Sequence, residues 1–431
     1  MINNPNKQQS SPKTKADVII VGAGPVGLLI ALGLGRAGIE TLVVEAHHEL
    51  LPTTRAMVYM PVVLPVLKAL GILDTVLQAA FLNTEGVRWR DIDGKELAHL
   101  PLGGDSSSEL GGVLLIGQWR MNELILEELN KYPSVEVQFG MRCVGIDDTP
   151  GHENVRVMVH GSSMLDEDTF IEAKYLIATD GANSSIRRML CVPFEGFTFQ
   201  DFKMIGTDVI YDFIKQEDFT PLNFIVHPKD WAVIAYTGQE EDRLPIGSGK
   251  PQWRVAYVED PDLPDSKQDY LKRAEEQVKK YTKKGDGKFR VIRAEPYLMQ
   301  QRSAAQPRKG RVMLAGDALH SNNPIGGLGL TGGILDAYCY ANALTKVLKQ
   351  GEHDNLLTTC ALARRNAWRG ITDKLSQDNM RRLFSEDPKT VAEREAFFRK
   401  LNDPEGGKKF GAAVGKGFGN MMLEDFSSLT I

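Results

Sequence analysis

The chain has 431 residues, 42% hydrophobic and 25% charged, with a formal net charge of −5. Such a chain buries a sizeable core and divides into about two domains, and its balance of charge offers no electrostatic footprint for nucleic acid. The four cysteines, Cys143, Cys191, Cys339 and Cys360, contain no C-x-x-C pair; that usage predicts free thiols in a reducing, cytoplasmic setting rather than a disulfide framework or a zinc site.

Residues 1–15 are polar, lack the apolar region of a secretory signal, and are expected to be a disordered tail. Residues 16–45 read as one βαβ unit: the buried strand ADVIIVG, the turn GAGPVG at 22–27, a helix through LLIALGLGRAG that ends at Gly38, and the strand TLVVE. Residues 57–73 are the longest apolar-rich stretch, but Pro61, Pro65 and Lys68 interrupt it and it is too short to span a bilayer. Residues 58–80 are expected to be helical apart from their prolines, and 86–101 alternates around a DG turn as a hairpin. QWRMNELILEELNK at 118–131 is an amphipathic helix, and VEVQFG and VRVMVH follow as strands. KYLIATDG at 174–181 is a further buried strand that ends in a polar turn. Residues 205–260 change texture to short strands broken by Pro and Gly, which marks a separate sheet domain. Residues 265–284 return to helix with a Lys-rich, solvated end. GRVMLAGD is a strand ending at Asp317, 328–350 is a helix, and the chain is mostly helical from 352. GGKKFGAAVGKGFG at 406–419 is expected to be a mobile tail. There is no internal repeat, and no second G-x-G-x-x-G both follows a strand and opens a helix.

In the first turn Gly22 permits the tight bend, Gly24 lets a pyrophosphate approach the backbone, and Gly27 lets the helix pack close to the strand. Ala31 and Gly35 continue the small residues along that helix face. The helix N-terminus offers N–H groups and a positive dipole end to phosphates. Glu45, at the end of the second strand, can accept from a ribose diol. This unit alone leaves NAD and FAD open. LAGDALHSNNPIGGLGLTGG at 314–333 decides for FAD, because the flavin half of that long cofactor needs a second acid, Asp317, for its ribityl hydroxyls. It also needs a helix N-terminus facing the flavin C2=O, where reduced flavin gathers negative charge.

GAGPVG with Glu45, DGANSSIR at 180–187 and GDALH at 316–320 resemble, in order over about residues 16–370, the three fingerprints of the single-component flavin aromatic hydroxylases. The resemblance implies bound FAD, reduction by NADPH or NADH, and a flavin C4a-hydroperoxide that delivers one atom of O2 to a phenolic or other electron-rich aromatic small molecule. It implies that nicotinamide binds without a Rossmann domain of its own, in keeping with the missing second fingerprint. The expected fold is α/β with an α+β substrate domain. A Rossmann-like FAD-binding domain takes 16–80, 106–190 and 300–350; an inserted, mostly antiparallel sheet domain takes 81–105 and 191–299; a C-terminal helical region and tail takes 351–431.

By the same resemblance, Asp180, Gly181 and Arg187 serve FAD and NAD(P)H, Arg55 lies near the pyrophosphate, and Gln118 contacts FAD with Arg120 as a weaker candidate. Gly329, Leu330 and Thr331 contribute at the flavin pyrimidine edge, with Thr331 standing where many relatives have asparagine. Pro324 matches a proline whose carbonyl faces substrate and flavin. Arg254, in WRVAY, matches an arginine that touches the flavin ring from the substrate domain; its alternative is a strand salt bridge. The strand FIVHPKDWAVIAYTG resembles the substrate strand of the family but offers Ala235 and Thr237 for a carboxylate-binding serine and arginine, and Phe224 for a phenol-activating tyrosine. That predicts a more apolar pocket, suited to a larger phenol or a polyketide- or terpenoid-like substrate rather than a small benzoate. His227 and Tyr236 are the candidate bases, with Tyr211 and Tyr257 behind them. His320 is expected to pack or hydrogen-bond, and His47–His48 is a solvated loop with no third ligand, so no metal site is expected.

The five tryptophans include no W-x-W pair of the kind flavin halogenases carry. Epoxidation, Baeyer–Villiger-type oxidation or double-bond reduction of a non-phenolic substrate stays the alternative within the fold. The chain ends too soon after Arg369 for the thioredoxin-like domain that some relatives append. A homodimer stays open.

Overall fold

The structure, a computed structural model, describes residues 13–51, 56–102, 111–161, 168–239 and 249–411. Strand β1 (Lys15–Val21) runs through the Gly22–Gly24 turn into helix α1 (Pro25–Arg36), and β2 (Thr41–Glu45) returns parallel to β1. Lys15 is thus already in a strand, and residues 1–12 of the expected tail lie outside the described residues. Val18, Ile19 and Ile20 are fully buried, as a central parallel strand covered on both faces requires. β3 (Val58–Tyr59) precedes helices α2 (Val63–Ala69) and α3 (Leu73–Ala79). The stretch expected to be helical therefore opens as a strand; Pro65 falls in the first turn of α2, where its missing N–H breaks no bond.

Next come β4 (Phe81–Asn83), the hairpin β5 (Val87–Asp91) and β6 (Glu96–Leu100), β7 (Val113–Leu115) and helix α4 (Gln118–Leu129). β8 (Val135–Phe139), β9 (Met141–Asp147), β10 (Val155–Gly161) and β11 (Thr169–Ala178) follow, then helix α5 (Ser185–Met189) and β12 (Phe194–Thr198). The strand-rich stretch holds β13 (Lys203–Ile210), a short α6 (Phe213–Glu217), β14 (Leu222–Val226), β15 (Ala232–Gln239) and β16 (Pro251–Glu259). It is followed by α7 (Lys267–Lys279), β17 (Arg290–Tyr297), β18 (Gln300–Ala304), β19 (Arg308–Lys309) and β20 (Val312–Leu314). β20 stops short of Asp317, which instead sits in a 3-10 turn over Gly316–Ala318. β21 (His320–Ser321) leads to the long α8 (Leu328–Lys349), then α9 (Asn355–Ala367), a π-helical turn (Trp368–Thr372), α10 (Asp373–Phe384) and α11 (Pro388–Asn402).

Two large sheets organise these elements. In the first, β8, β2, β1, β11 and β20 are parallel neighbours in that order, with β19 antiparallel at the edge and β10 and β9 extending from β11. In the second, the order is β17-β13-β16-β15-β14-β5-β6, antiparallel except where β14 meets β5. The β5–β6 hairpin thus joins a sheet whose other strands lie more than a hundred residues later. Glycines let helices close on the first sheet: a Cβ on Gly27 would sit 2.1 Å from the Gly22 carbonyl oxygen, and one on Gly35 would sit 2.7 Å from Val135.

Two expectations need correcting. Cys339 on α8 and Cys360 on α9, expected as free thiols, are joined in a disulfide, because the packed helices bring their Cα atoms to 6.3 Å; Cys143 and Cys191 are free. Residues 406–411 of the expected tail are helical, with Phe410 packed 5.4 Å from Phe397; residues 412–419 lie outside the described residues. Among the described residues no helix is long and apolar enough to cross a membrane.

Candidate functional site

The ends of β1, β2 and β11 converge at the GAGPVG turn. Gly22 has a φ of +109°, and a Cβ there would meet the Thr179 carbonyl oxygen at 2.6 Å, so the chain itself demands glycine. Gly24, in contrast, has φ −72° and ψ 173°, a conformation open to any residue, and a Cβ there would meet no atom within 4 Å. Glycine at 24 leaves free space directly over the N-terminus of α1, where the first N–H groups have no partner within the helix. Glu45 closes the turn: its Oε2 accepts from Ala23 N at 2.8 Å and its Oε1 from His47 N at 2.9 Å.

Asp180 caps α5, accepting on Oδ2 from Ser185 N (2.7 Å) and Ile186 N (3.2 Å), while its Oδ1 is buried without a hydrogen-bond partner. Gly181 beside it faces open space. Arg187 is buried and donates to the carbonyls of Ala318 (2.9 Å) and Ala182 (2.7 Å), with its guanidinium 3.7 Å from the centre of the Phe194 ring. Burial lowers its pKa and Asp180 partly offsets that. Arg187 thus ties the middle fingerprint to the third. Gln118 starts α4 and accepts from Ala56 N at 3.2 Å, and Arg120 pairs with Glu123 at 2.9 Å. Arg55 lies outside the described residues.

The third fingerprint and its loop are braced from several sides. Asp317 is exposed between buried neighbours, as an acid reaching beyond a sheet edge would be. Pro324 is exposed, and its carbonyl accepts from Gly327 N at 3.1 Å, so the turn already uses the oxygen expected to face substrate. Gly329 and Leu330 open α8, with no atom closer than 3.8 Å to a Cβ at Gly329. Thr331 is buried; its hydroxyl donates to Gly327 O (2.6 Å) and accepts from Met60 N (3.2 Å), so its side chain is a fastener.

Beneath this loop lies a buried charge cluster that sequence reasoning missed. Asp336 is fully buried, 2.6 Å from Arg364 Nε and 3.1 Å from His320 Nε2, and accepts from Gly316 N at 2.9 Å. Burial raises the Asp336 carboxyl, but His320 and Arg364 outweigh it and hold it well below the usual carboxylate range. The available signal was an aspartate inside the otherwise apolar run GILDAYCYANAL, since a lone charge there requires a buried partner.

The second sheet separates the remaining candidates. Directly opposed residues share a face, and register aligns Arg293, Asp208, Arg254, Ala235 and Leu222 in one row. The adjacent row on that face runs through Gly206, Ala256, Val233, Phe224 and Trp89. Arg254 lies 2.7 Å from Asp208, which also pairs with Arg293 at 3.1 Å, so the strand salt bridge is what the geometry shows for Arg254. Tyr236 pairs with Trp253, one step out of register with Arg254, and so projects from the opposite face, against Trp253 and Phe81. His227 sits at the β14–β15 corner; its Nδ1 accepts from Asp230 N at 2.8 Å, and it borders an outer cavity of about 370 Å³ with Leu383 and Arg394. The structure therefore does not bring His227, Tyr236 and Arg254 together. Tyr211 donates to Glu217 at 2.7 Å, and burial and that carboxylate push its pKa up.

A parallel sheet with a glycine turn, a terminal acid, and a second acid and helix start beside it define a Rossmann-type flavoenzyme. Residues 15–374 match the family described as FAD binding domain. Para-nitrophenol 4-monooxygenase of Pseudomonas sp. (strain WBC-3) is 33% identical over 391 residues, 90% of this chain and 92% of that protein. 6-Hydroxy-3-succinoylpyridine 3-monooxygenase HspB of Pseudomonas putida (strain DSM 28022 / S16) is 35% identical over 376 residues, 87% of this chain and 90% of that protein. The crystal structure of p-nitrophenol 4-monooxygenase PnpA from Pseudomonas putida DLL-E4 aligns with a TM-score of 0.83 at 32% identity, covering 95% of this chain and 99% of that one. The chain belongs to the single-component FAD-dependent aromatic hydroxylases. It is an NAD(P)H-consuming FAD monooxygenase that hydroxylates an aromatic substrate.

Proposed function

We propose that the substrate is a single-ring phenol carrying an uncharged, electron-withdrawing group para to its hydroxyl, and that oxygen enters at the carbon bearing that group. The observation that carries this reading is the sheet face around Arg254. Val233, Ala235, Phe224 and Trp89 make it apolar, and its described cations are already paired, Arg254 with Asp208 and Arg293 with Asp208 and Glu295. A carboxylate on the ring would have to compete with Asp208 and Glu295 for these arginines. Trp89 lies 5.7 Å from both Phe397 and Phe398, so α11 covers the aromatic end of this face and keeps water out. Two of the chain's relatives act, by name, on nitrophenol and on a hydroxylated succinoylpyridine, which favours one ring over a polycyclic substrate.

The same choice answers the missing base. His227 and Tyr211 are engaged elsewhere and Tyr257 faces Thr207 on the other side of the sheet. A para electron-withdrawing group lowers the phenol below its ordinary pKa of about 10, so the ring reaches its nucleophilic phenolate form without a strong base. The phenolate then pushes electron density to its para carbon.

The residues present fit FAD: open space over Gly24, an orphaned carboxylate oxygen on Asp180, and Glu45 at a strand end are the donors and the room such a cofactor needs. In this reading α1 N–H groups and Gly22–Gly27 hold the pyrophosphate and Glu45 the ribose. Asp180, Gly181, Gln118 and Arg120 line the middle of the cofactor, and Asp317 and the start of α8 at Gly329–Thr331 hold its flavin half. Bound FAD supplies the ring that accepts hydride from NAD(P)H and activates O2. The first sheet with its helices is the cofactor unit, and the second sheet presents the substrate. The test is NAD(P)H consumption in air: 4-nitrophenol should stimulate it with nitrite release, and 4-hydroxybenzoate should not.

A further inference from the structure

Between α9 and α10 the helix takes one wide turn, Trp368–Thr372, with π-helical bonding. Such turns insert a residue into the helical frame and recur where a side chain must be re-aimed. Here the turn aims Trp368 at the segment that bears Pro324. The indole is buried, stacks on the His320 ring (centroids 5.9 Å apart, planes 11° apart), and donates from Nε1 to Asn322 Oδ1 at 3.3 Å.

The turn's flanks grip the same segment. Before it, Arg364 donates to Gly332 O at 3.2 Å while pairing with Asp336. After it, Gln301 Nε2 donates to Ser376 Oγ (2.9 Å) and Asp373 Oδ1 (2.9 Å), and Gln301 Oε1 accepts from Asn323 N at 3.1 Å. Asn323 Oδ1 in turn accepts from Ile325 N at 3.0 Å, on the far side of Pro324. The loop on which Pro324 sits is therefore held by Gln301 of β18 and by residues of the C-terminal helices rather than by the cofactor sheet. The π turn lets Trp368 contact it directly while Asp373, five positions on, holds it through Gln301.

We propose that Trp368 is a positioning residue for oxygen transfer: on its π turn it fixes Asn322 and His320, and with them the lie of the 322–332 segment against the flavin. It thereby governs how much NAD(P)H consumption ends in hydroxylated product rather than in released peroxide. The proposal rests on the reading that the 322–332 segment faces the flavin, and the test separates the two.

Trp368→Leu removes the stack and the N–H; Trp368→Phe keeps a ring and loses only the donor. Leu357→Ala, fully buried on α9, is a control that loosens the same helix without touching the loop. Gly329→Val puts a side chain into the open space at the start of α8. Each purified FAD-loaded protein is measured for FAD content, melting temperature, the visible circular dichroism of bound FAD, and peroxide formed per NAD(P)H with 4-nitrophenol. Trp368→Leu is expected to keep one FAD per chain but alter its visible dichroism. It should also raise the peroxide fraction about threefold or more, since a misplacement near 1 Å costs up to roughly a hundredfold in a productive step. Trp368→Phe should fall between it and the parent, and Leu357→Ala should lower the melting temperature alone. The proposal is overturned if both Trp368 variants keep the parent dichroism while Gly329→Val changes it, or if Leu357→Ala shifts the dichroism as far as Trp368→Leu. If Gly329→Val also leaves the dichroism unchanged, the placement of the segment against the flavin is what fails.

Discussion

Gly24 and Gly27 stand three residues apart in one turn, yet the chain's own packing demands glycine only at 27, while at 24 the bound cofactor is what calls for it. A Cβ on Gly27 would lie 2.1 Å from the Gly22 carbonyl oxygen and 2.6 Å from Thr179 Oγ1. Comfortable contact is about 3.5 Å, so Gly27→Ala must move the helix start or the turn by about 1 Å. Overpacking of that kind costs about 1–3 kcal/mol, and alanine's better helix propensity returns at most about 1 kcal/mol. The FAD-free protein should therefore melt lower by several degrees, at about 2–4 °C per kcal/mol. Gly24→Ala meets nothing within 4 Å and needs no unusual backbone angle, so the FAD-free melting temperature should stay within about 1 °C. Its methyl group would nevertheless occupy the space over the N-terminus of α1. Loss of one or two charge-assisted hydrogen bonds there, about 1.5–3 kcal/mol, weakens FAD about ten- to a hundredfold. Thermal melts with and without FAD, and flavin fluorescence titration of the apoprotein, measure both quantities. If Gly24→Ala binds FAD like the parent, or lowers the FAD-free melting temperature as much as Gly27→Ala does, the pyrophosphate is not where the turn places it.

Other perturbations have equally definite outcomes. Asp336→Asn breaks a fully buried pair and leaves Arg364 without its counter-charge, so stability should fall by about 3–5 kcal/mol, read by denaturant melts. Because the folded Asp336 carboxyl is held below its unfolded value of about 3.9, its contribution is present above that pH and lost as pH falls through the lower folded value; the parent's acid limb should be steeper than that of Asp336→Asn. Arg254→Met removes one of the two cations on buried Asp208 and should cost about 1.5–3 kcal/mol in stability while sparing FAD binding; a loss of FAD with an unchanged melt would mean that Arg254 holds the flavin directly. Thiol titration of the denatured, unreduced protein should count two thiols, Cys143 and Cys191, and four after reduction.

The cofactor turn was legible because its geometry is local: a strand, three glycines and a terminal acid follow one another within the 16–45 unit, and backbone sterics fix what they can form. The amphipathic helix at 118–131 and the long helix at 328–350 were legible through periodicity for the same reason. What escaped depends on pairings remote in sequence. Arg254 faces Asp208 and Arg293 only because β16 pairs with β13 and β13 with β17. Tyr236 drops out as a partner of Arg254 because register, which the sequence does not display, puts the two on opposite faces. The Asp336–Arg364–His320 cluster and the Cys339–Cys360 bond both need α8 and α9 packed side by side. His227 looked chemical in a strand beside a proline, but the corner it occupies spends its ring nitrogen on the turn.

The central claim is tested most directly by following NAD(P)H oxidation in air with 4-nitrophenol while quantifying peroxide and nitrite. Stimulated oxidation with nitrite close to stoichiometric and little peroxide is expected, with no stimulation by 4-hydroxybenzoate. Stimulation by 4-hydroxybenzoate but not 4-nitrophenol would contradict that claim, because the apolar face would then be holding a carboxylate against the Asp208 and Glu295 that already pair with its arginines.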